Sequence, residues 1–333
     1  MLARIRITLR QHRFETIAAT VLCLGVAAAG FIEAWRLNSL NFPQSCLQDG
    51  HVPWFDPTMA PTQCSVAAQR FHDISDGGDM KFVFLFEQIL PFIVGIAFGA
   101  PIVAREIETG TAPLSWALAG SRVRWLFGKI LAVVLLLVPL LLIAGLSADA
   151  RQGALVPGVD PHATFDYYAD RGVFLVFWGL AAFFGTLALG TIFGRTMPAV
   201  MVALLVCVFA RGLWEPAWNH TVLRGFAVVG DANSYNSADL YVYESNELYL
   251  DGKVWTGDIN QWWESNQPIT PTPDPSGVIP PPPDFGPPPQ PLSYVIHGNQ
   301  YWLVATIECA ALLAGSLFCG AVALIWVGRR KPY

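Results

Sequence analysis

Charge is scarce in this chain. Of 333 residues, 14% are Asp, Glu, Lys or Arg and 53% are hydrophobic, against about 25% charged in ordinary soluble domains. So few ionic groups cannot cover a water-facing surface, and most of the chain is expected to lie in a bilayer. A basic cluster is missing as well: the net charge of -5 speaks against a nucleic-acid partner, which needs grouped Lys and Arg. Catalytic signatures are absent too. The sequence contains no GxxxxGK[ST] phosphate loop, no HExxH and no GxSxG, so the chain is not expected to be an enzyme or to hold a cofactor or metal itself. Its six His have no ligand spacing, and MLARIRITLRQHRFE lacks the small-residue cleavage site of a signal peptide.

What the chain does have is long apolar runs. A span needs about 20 mostly apolar residues to cross about 30 Å of hydrocarbon, and six stretches fit: 17–35, 82–104, 126–146, 173–193, 197–214 and 301–327. The expected fold class is therefore all-α and polytopic, with six transmembrane helices. Basic residues mark the cytosolic side. With both termini inside, that side collects Arg4, Arg6, Arg10, Arg13, Arg105, Arg122, Arg124, Lys129, Arg195, Arg329, Arg330 and Lys331. Both termini are thus expected in the cytosol, with 328–333 as a short tail. Residues 1–16 alternate basic and apolar positions, as in an amphipathic helix lying on the inner leaflet; a simple basic flank is the other reading.

Three outer segments follow, 36–81, 147–172 and 215–300. The first carries Cys46 and Cys64, 18 residues apart; a disulfide persists outside the cytosol, and a bridge is expected there, with two free thiols as the alternative. Cys23, Cys207, Cys309 and Cys319 fall in spans and read as small packing residues. In the third segment LYVYESNELYLDGKVW alternates aromatic and polar residues around Asp251–Gly252, a hairpin signal, so a small β-containing domain is expected between the last two spans. The Pro-rich stretch 268–291 is expected to form an extended polyproline II rod or a disordered strap.

Between the second and third spans the sequence reads AREIETGTAPLSWALAGSRVRWLFGK over residues 104–129. Thr111 is a plausible N-cap, Pro113 suits a first helical turn, Leu114, Trp116 and Leu118 give a short helix apolar surface, Gly120 ends it and Ser121 can cap the next helix. Exposed Leu and Trp on such a helix call for a partner. The Arg-Glu pair, the Gly-Thr, the short helix, the Ser-Arg and the Gly-Lys resemble the ABC-2 type permease family, as does the six-span order. This resemblance implies that 105–125 contains a coupling helix seated in a separate ATPase subunit, with Arg105, Glu106, Glu108, Gly110, Thr111, Leu114, Trp116, Ser121 and Arg122 as the coupling residues. It further implies two ATPase copies binding ATP and Mg, a second permease subunit forming a homodimer or heterodimer, and residence in the plasma membrane, in a bacterium. The family's usual direction suggests an exporter.

Glu33, Glu87 and Glu308 lie within spans, where a charge costs about 2.5–3.5 kcal/mol on insertion scales and usually faces a bundle interior or water cavity. All three are candidates for the translocation path. Glu87, followed by Pro91, is expected on a water-accessible cavity, and Arg211 is a candidate partner for Glu33 or Glu308. The competing function, from a different class, is a membrane-anchored sensor or immunity protein that binds a ligand through its outer domain.

Overall fold

A computed structural model describes residues 8, 10–48, 50–54, 62–231, 240–250, 253–255 and 290–329. The chain divides into two units, 1–214 with 299–333, and 215–298. In the first unit α1 (Arg13–Ser39) is followed by α2 (Gln63–Ser75), α3 (Gly78–Gly99), α4 (Pro101–Glu108), α5 (Ala112–Ala119), α6 (Arg122–Leu155) and α7 (Phe174–Phe193); α8 is Thr196–Thr221 and α9 is Tyr301–Arg329. Six helical stretches among the described residues are long and apolar enough to cross a membrane: α1, α3 with α4, α6, α7, the Thr196–Trp214 part of α8, and α9 with its short lead-in. Their outward faces are apolar, as with Phe82, Leu135, Leu205 and Phe318, which suits lipid and would not suit water. Residues 1–7 and 9 lie outside the described residues, and with them the first half of the amphipathic helix expected over 1–16; its last residues, from Arg13, open α1.

Packing is densest where backbones meet. Gly95 and Gly99 form a small-xxx-small stripe on α3. A Cβ added at Gly95 would stand 2.7 Å from Ala182 Cβ and 2.8 Å from the Gly179 carbonyl, and one at Gly99 would overlap Thr186 Oγ1 and the Phe183 carbonyl. The helices approach this closely because neither glycine has a side chain. Leu90, Val94, Phe98, Leu137, Leu141, Phe183 and Leu187 fill the core around this seam. Helix α1 packs chiefly on α6, while α3 and α9 pack chiefly on α7.

Segment 36–81 is more ordered than a loop. Helix α2 opens with a reciprocal capping box between Thr62 and Ser65. Phe71 and Ala68 on α2 bury with Leu37 of α1, Met80 of α3 and Ala154 of α6 in a small satellite core. Cys46 and Cys64 are joined as a disulfide, with Cα atoms 5.4 Å apart. Helix α6 also runs nine residues past the expected end of its span, to Leu155. The reason lies in its polar face: Ser147 Oγ bonds the Ala144 carbonyl at 2.7 Å, and Asp149 and Arg151 both find ionic partners.

In the second unit the described strands are β1 (Val228–Asp231), β2 (Leu240–Leu250), β3 (Lys253–Trp255) and β4 (Gln290–Ile296), in the antiparallel order β1-β4-β2-β3. Asp251 and Gly252 lie outside the described residues, and so does the Pro-rich stretch up to residue 289.

Candidate functional site

The insert between α3 and α6 is built by local chemistry. Pro101 starts α4 at a position needing no N–H donor. Gly110, at φ 71°, turns the chain out of α4, and the Thr111 N–H closes the turn on the Glu106 carbonyl at 3.0 Å. Thr111 takes the N-cap position of α5 without capping it: its hydroxyl bonds Thr109 Oγ1 at 3.0 Å and the Glu106 carbonyl at 3.4 Å. Gly120 ends α5 at φ 75°, the left-handed region glycine adopts freely. Ser121 Oγ then accepts the Arg124 N–H at 3.1 Å and caps α6.

The three charged residues of α4 each hold a different span. Arg105 reaches Glu15 at the start of α1, 3.5 Å away. Glu106 pairs with Lys129 of α6; the Lys129 ammonium is buried, donates to the Ile102 carbonyl at 3.3 Å and lies 4.6 Å from the Trp125 ring centre. Glu108 Oε2 accepts the Thr196 N–H at 3.1 Å, so a carboxylate sits at the N-terminus of α8, where the helix dipole favours it. His12 lies against this cluster, 3.7 Å from Glu15. Burial pushes the His12 imidazole below its usual value, the Lys129 and Arg105 charges add to that, and Glu15 opposes it.

Leu114 and Leu118 are 66% and 79% exposed, one turn apart on α5. Trp116 differs from expectation. It is 8% exposed, meets Trp125 edge-on at 6.2 Å and has the Arg122 guanidinium 4.8 Å from its ring centre. The helix turns Trp116 inward because a large ring gains more from packing on Trp125 than from water. Arg122 is thereby engaged with the insert's own tryptophan.

The opposite end of the bundle carries a second set of charges. Glu87 is fully buried, and Arg151 of α6 donates to Glu87 Oε2 from Nη2 at 2.6 Å and from Nε at 3.1 Å. Its other oxygen, Oε1, has no hydrogen-bond partner among the described residues, and Gly30 of α1 passes so close that a Cβ there would lie 3.0 Å from it. Asp170 accepts from Arg211 at 3.0 and 3.1 Å and from Gln88 at 3.2 Å. Asp149 pairs with Arg171 at 3.3 Å, whose guanidinium also donates to the Thr164 carbonyl at 2.7 Å.

These partners show what meets each span residue singled out in the sequence. Glu87 is closed off from solvent, and the Arg151 guanidinium meets its charge. Arg211 pairs with Asp170. Glu33 instead pairs with Arg36 on its own helix at 3.2 Å, beside a cleft of about 420 Å³ that Asp73 and Asp79 also line. Glu308 is buried and accepts from Trp214 Nε1 at 2.9 Å. Glu33, Glu87 and Glu308 thus each meet a different partner, Arg36, Arg151 and Trp214. Arg151 was the residue missed, since its polar neighbours SADARQ look like the start of a loop. The signal was there: an intramembrane carboxylate needs a cation, and Ser147 and Arg151 continue one face of the preceding apolar helix.

In comparison with known proteins, residues 16–218 match the family described as ABC-2 membrane transporter related. No curated protein and no solved structure matches. The match covers most of α1 through most of α8, including the insert and, apart from Glu15, the ion-paired residues at both ends of the bundle, so this multi-pass protein belongs to the ABC-2 membrane transporter related family of ABC permeases.

Proposed function

We propose that the chain is the permease subunit of an ABC exporter, with both termini in the cytosol, driven by a separate ATPase that docks on α5. The observation that carries this reading is the threefold attachment of α4. A push on α5 is delivered through one short helix to α1 by Arg105, to α6 by Glu106 and to α8 by Glu108. Leu114 and Leu118 form the contact surface, and Gly110, Thr111, Ser121, Arg122 and the inward Trp116 shape the helix that presents it. Two permease subunits enclose the path, and two ATPase subunits bind ATP and Mg.

The test is the double variant Leu114→Asp with Leu118→Asp, purified from its native membrane. A nucleotide-binding polypeptide, detected by photolabelling with azido-ATP, is expected to co-purify with the wild type and to be lost from the variant. Both side chains are exposed, so the heat stability of the variant is expected to stay at the wild-type level. Retention of the labelled partner would sink the assignment. Glu108→Ala is expected to keep the partner but to weaken transport-linked ATP hydrolysis.

A further inference from the structure

Helix α8 is fastened at its two ends and stands apart between them. At one end Glu108 holds the Thr196 N–H; at the other, Arg211 pairs with Asp170 and Trp214 bonds Glu308. Of the apolar stretch between, 11% is buried, against 61% in α7. The gap is a cleft of about 290 Å³, walled by Ala182, Gly185 and Ala188 of α7, Ala203 and Cys207 of α8, and Phe92 of α3. A Cβ at Gly185 would meet nothing within 4 Å, so space rather than a neighbour lies over that glycine.

Neither water nor the protein fills this space well. A buried water needs two to four polar partners, and the Thr186 hydroxyl in the lining is already bonded to the Phe183 and Gly95 carbonyls. An empty apolar void forfeits dispersion contacts along its walls. One polar group in the lining does lack a partner: Trp178 is 4% exposed, and its Nε1–H has no hydrogen-bond acceptor among the described residues. Trp178 lies about 6 Å along α7 from its first residue, near the membrane surface opposite α5. From Trp178 to Leu189 the cleft follows α7 for about 16 Å, close to half of the roughly 30 Å hydrocarbon core.

We propose that this cleft holds one acyl chain of a membrane lipid from the leaflet at the Trp178 end. The ester carbonyl accepts the Trp178 Nε1–H, and the chain lies along the small-residue walls between α7 and α8. Depth, dryness and the single unpaired donor at the surface end all fit this occupant. The assignment is independent of the docking of an ATPase.

The experiment uses the full chain reconstituted in phosphatidylcholine and phosphatidylglycerol vesicles containing a trace of phospholipid with a mid-chain diazirine. After illumination, labelled residues are mapped by peptide mass spectrometry. Labelling at Ala203 and Cys207 is expected to exceed, several-fold, that at Met201 and Val208, which are 61% and 70% exposed on the same helix. Gly185→Phe, which fills open space, is expected to remove the excess and leave Met201 and Val208 unchanged. Trp178→Phe is expected to lower cleft labelling by the ester lipid, and an ether-linked analogue is expected to label the wild type as weakly. Even labelling of both faces, or an excess that survives Gly185→Phe, overturns the site. A Cys207–Cys207 cross-link between two copies would give the cleft to a protein partner and overturn it equally. Equal labelling by ester and ether lipids overturns the role of Trp178.

Discussion

Replacing Glu87 with Gln leaves the Arg151 guanidinium buried with no opposing charge. Side-chain exposure is 0% at Glu87 and 5% at Arg151, so water is not available to compensate. The introduced amide can still accept one hydrogen bond, but the uncompensated cation remains in the apolar bundle. Breaking a buried pair in this way costs about 3–5 kcal/mol, whereas replacing both members by apolar residues of similar size is near neutral or favourable. The expected pattern is therefore a sharp loss in Glu87→Gln, a similar loss in Arg151→Met, and recovery of most of it in Glu87→Met with Arg151→Met. The assay is the folded fraction of purified protein in detergent after graded heating or SDS titration. A Glu87→Gln variant within about 1 kcal/mol of wild type, the range of exposed ion pairs, would refute the reasoning. So would a double variant weaker than either single. A carboxylate on a wet path would behave differently: Gln would spare stability and alter transport alone.

Gly99→Ala is expected to reduce the yield of folded protein, because its methyl overlaps Thr186 Oγ1 and the Phe183 carbonyl; Gly128→Ala, with nothing within 4 Å, is expected to be silent in the same size-exclusion assay. Reduction of the Cys46–Cys64 bridge is expected to cost about 3 kcal/mol for a loop of this size, and mass spectrometry of unreduced peptides is expected to find them linked, whereas alkylation of both in unreduced protein would contradict the bridge. For His12 the sign follows from its depressed folded value. The unfolded chain binds the proton more readily, so the stabilisation is complete above the ordinary imidazole value of 6.5 and is lost as pH falls from there toward the folded value. Hydrogen exchange in the first turns of α1, corrected for intrinsic rates, is expected to speed up below about pH 6.5, and His12→Asn is expected to abolish that dependence.

The readable parts of the sequence were those governed by neighbours in the chain. Pro113, Gly120 and Ser121 shape the short helix and its exit by backbone preference and capping alone, so that helix is legible without any tertiary contact. The six spans followed from run length. Partners distant in sequence were not readable in the same way. Glu87 and Arg151 are 64 residues apart, and the choice of Arg151 over water depends on α6 outlasting its apolar run. Trp116 turned inward because Trp125, beyond the turn, offers a ring to pack on. Arg211 found Asp170 in a segment where the sequence showed only a loop.

The glycine seam between α3 and α7 divides the bundle mechanically. Where Gly95 and Gly99 meet Gly179 and Phe183, backbone touches backbone, and sliding either helix by a turn would drive side chains into carbonyls. Those two helices consequently travel as a single stave. Any movement that reshapes the membrane interior must be taken up at joints made of side chains, and α8, pinned at its ends by ion pairs and hydrogen bonds and parted from α7 by a cleft that no side chain fills, is the stave with room to bow.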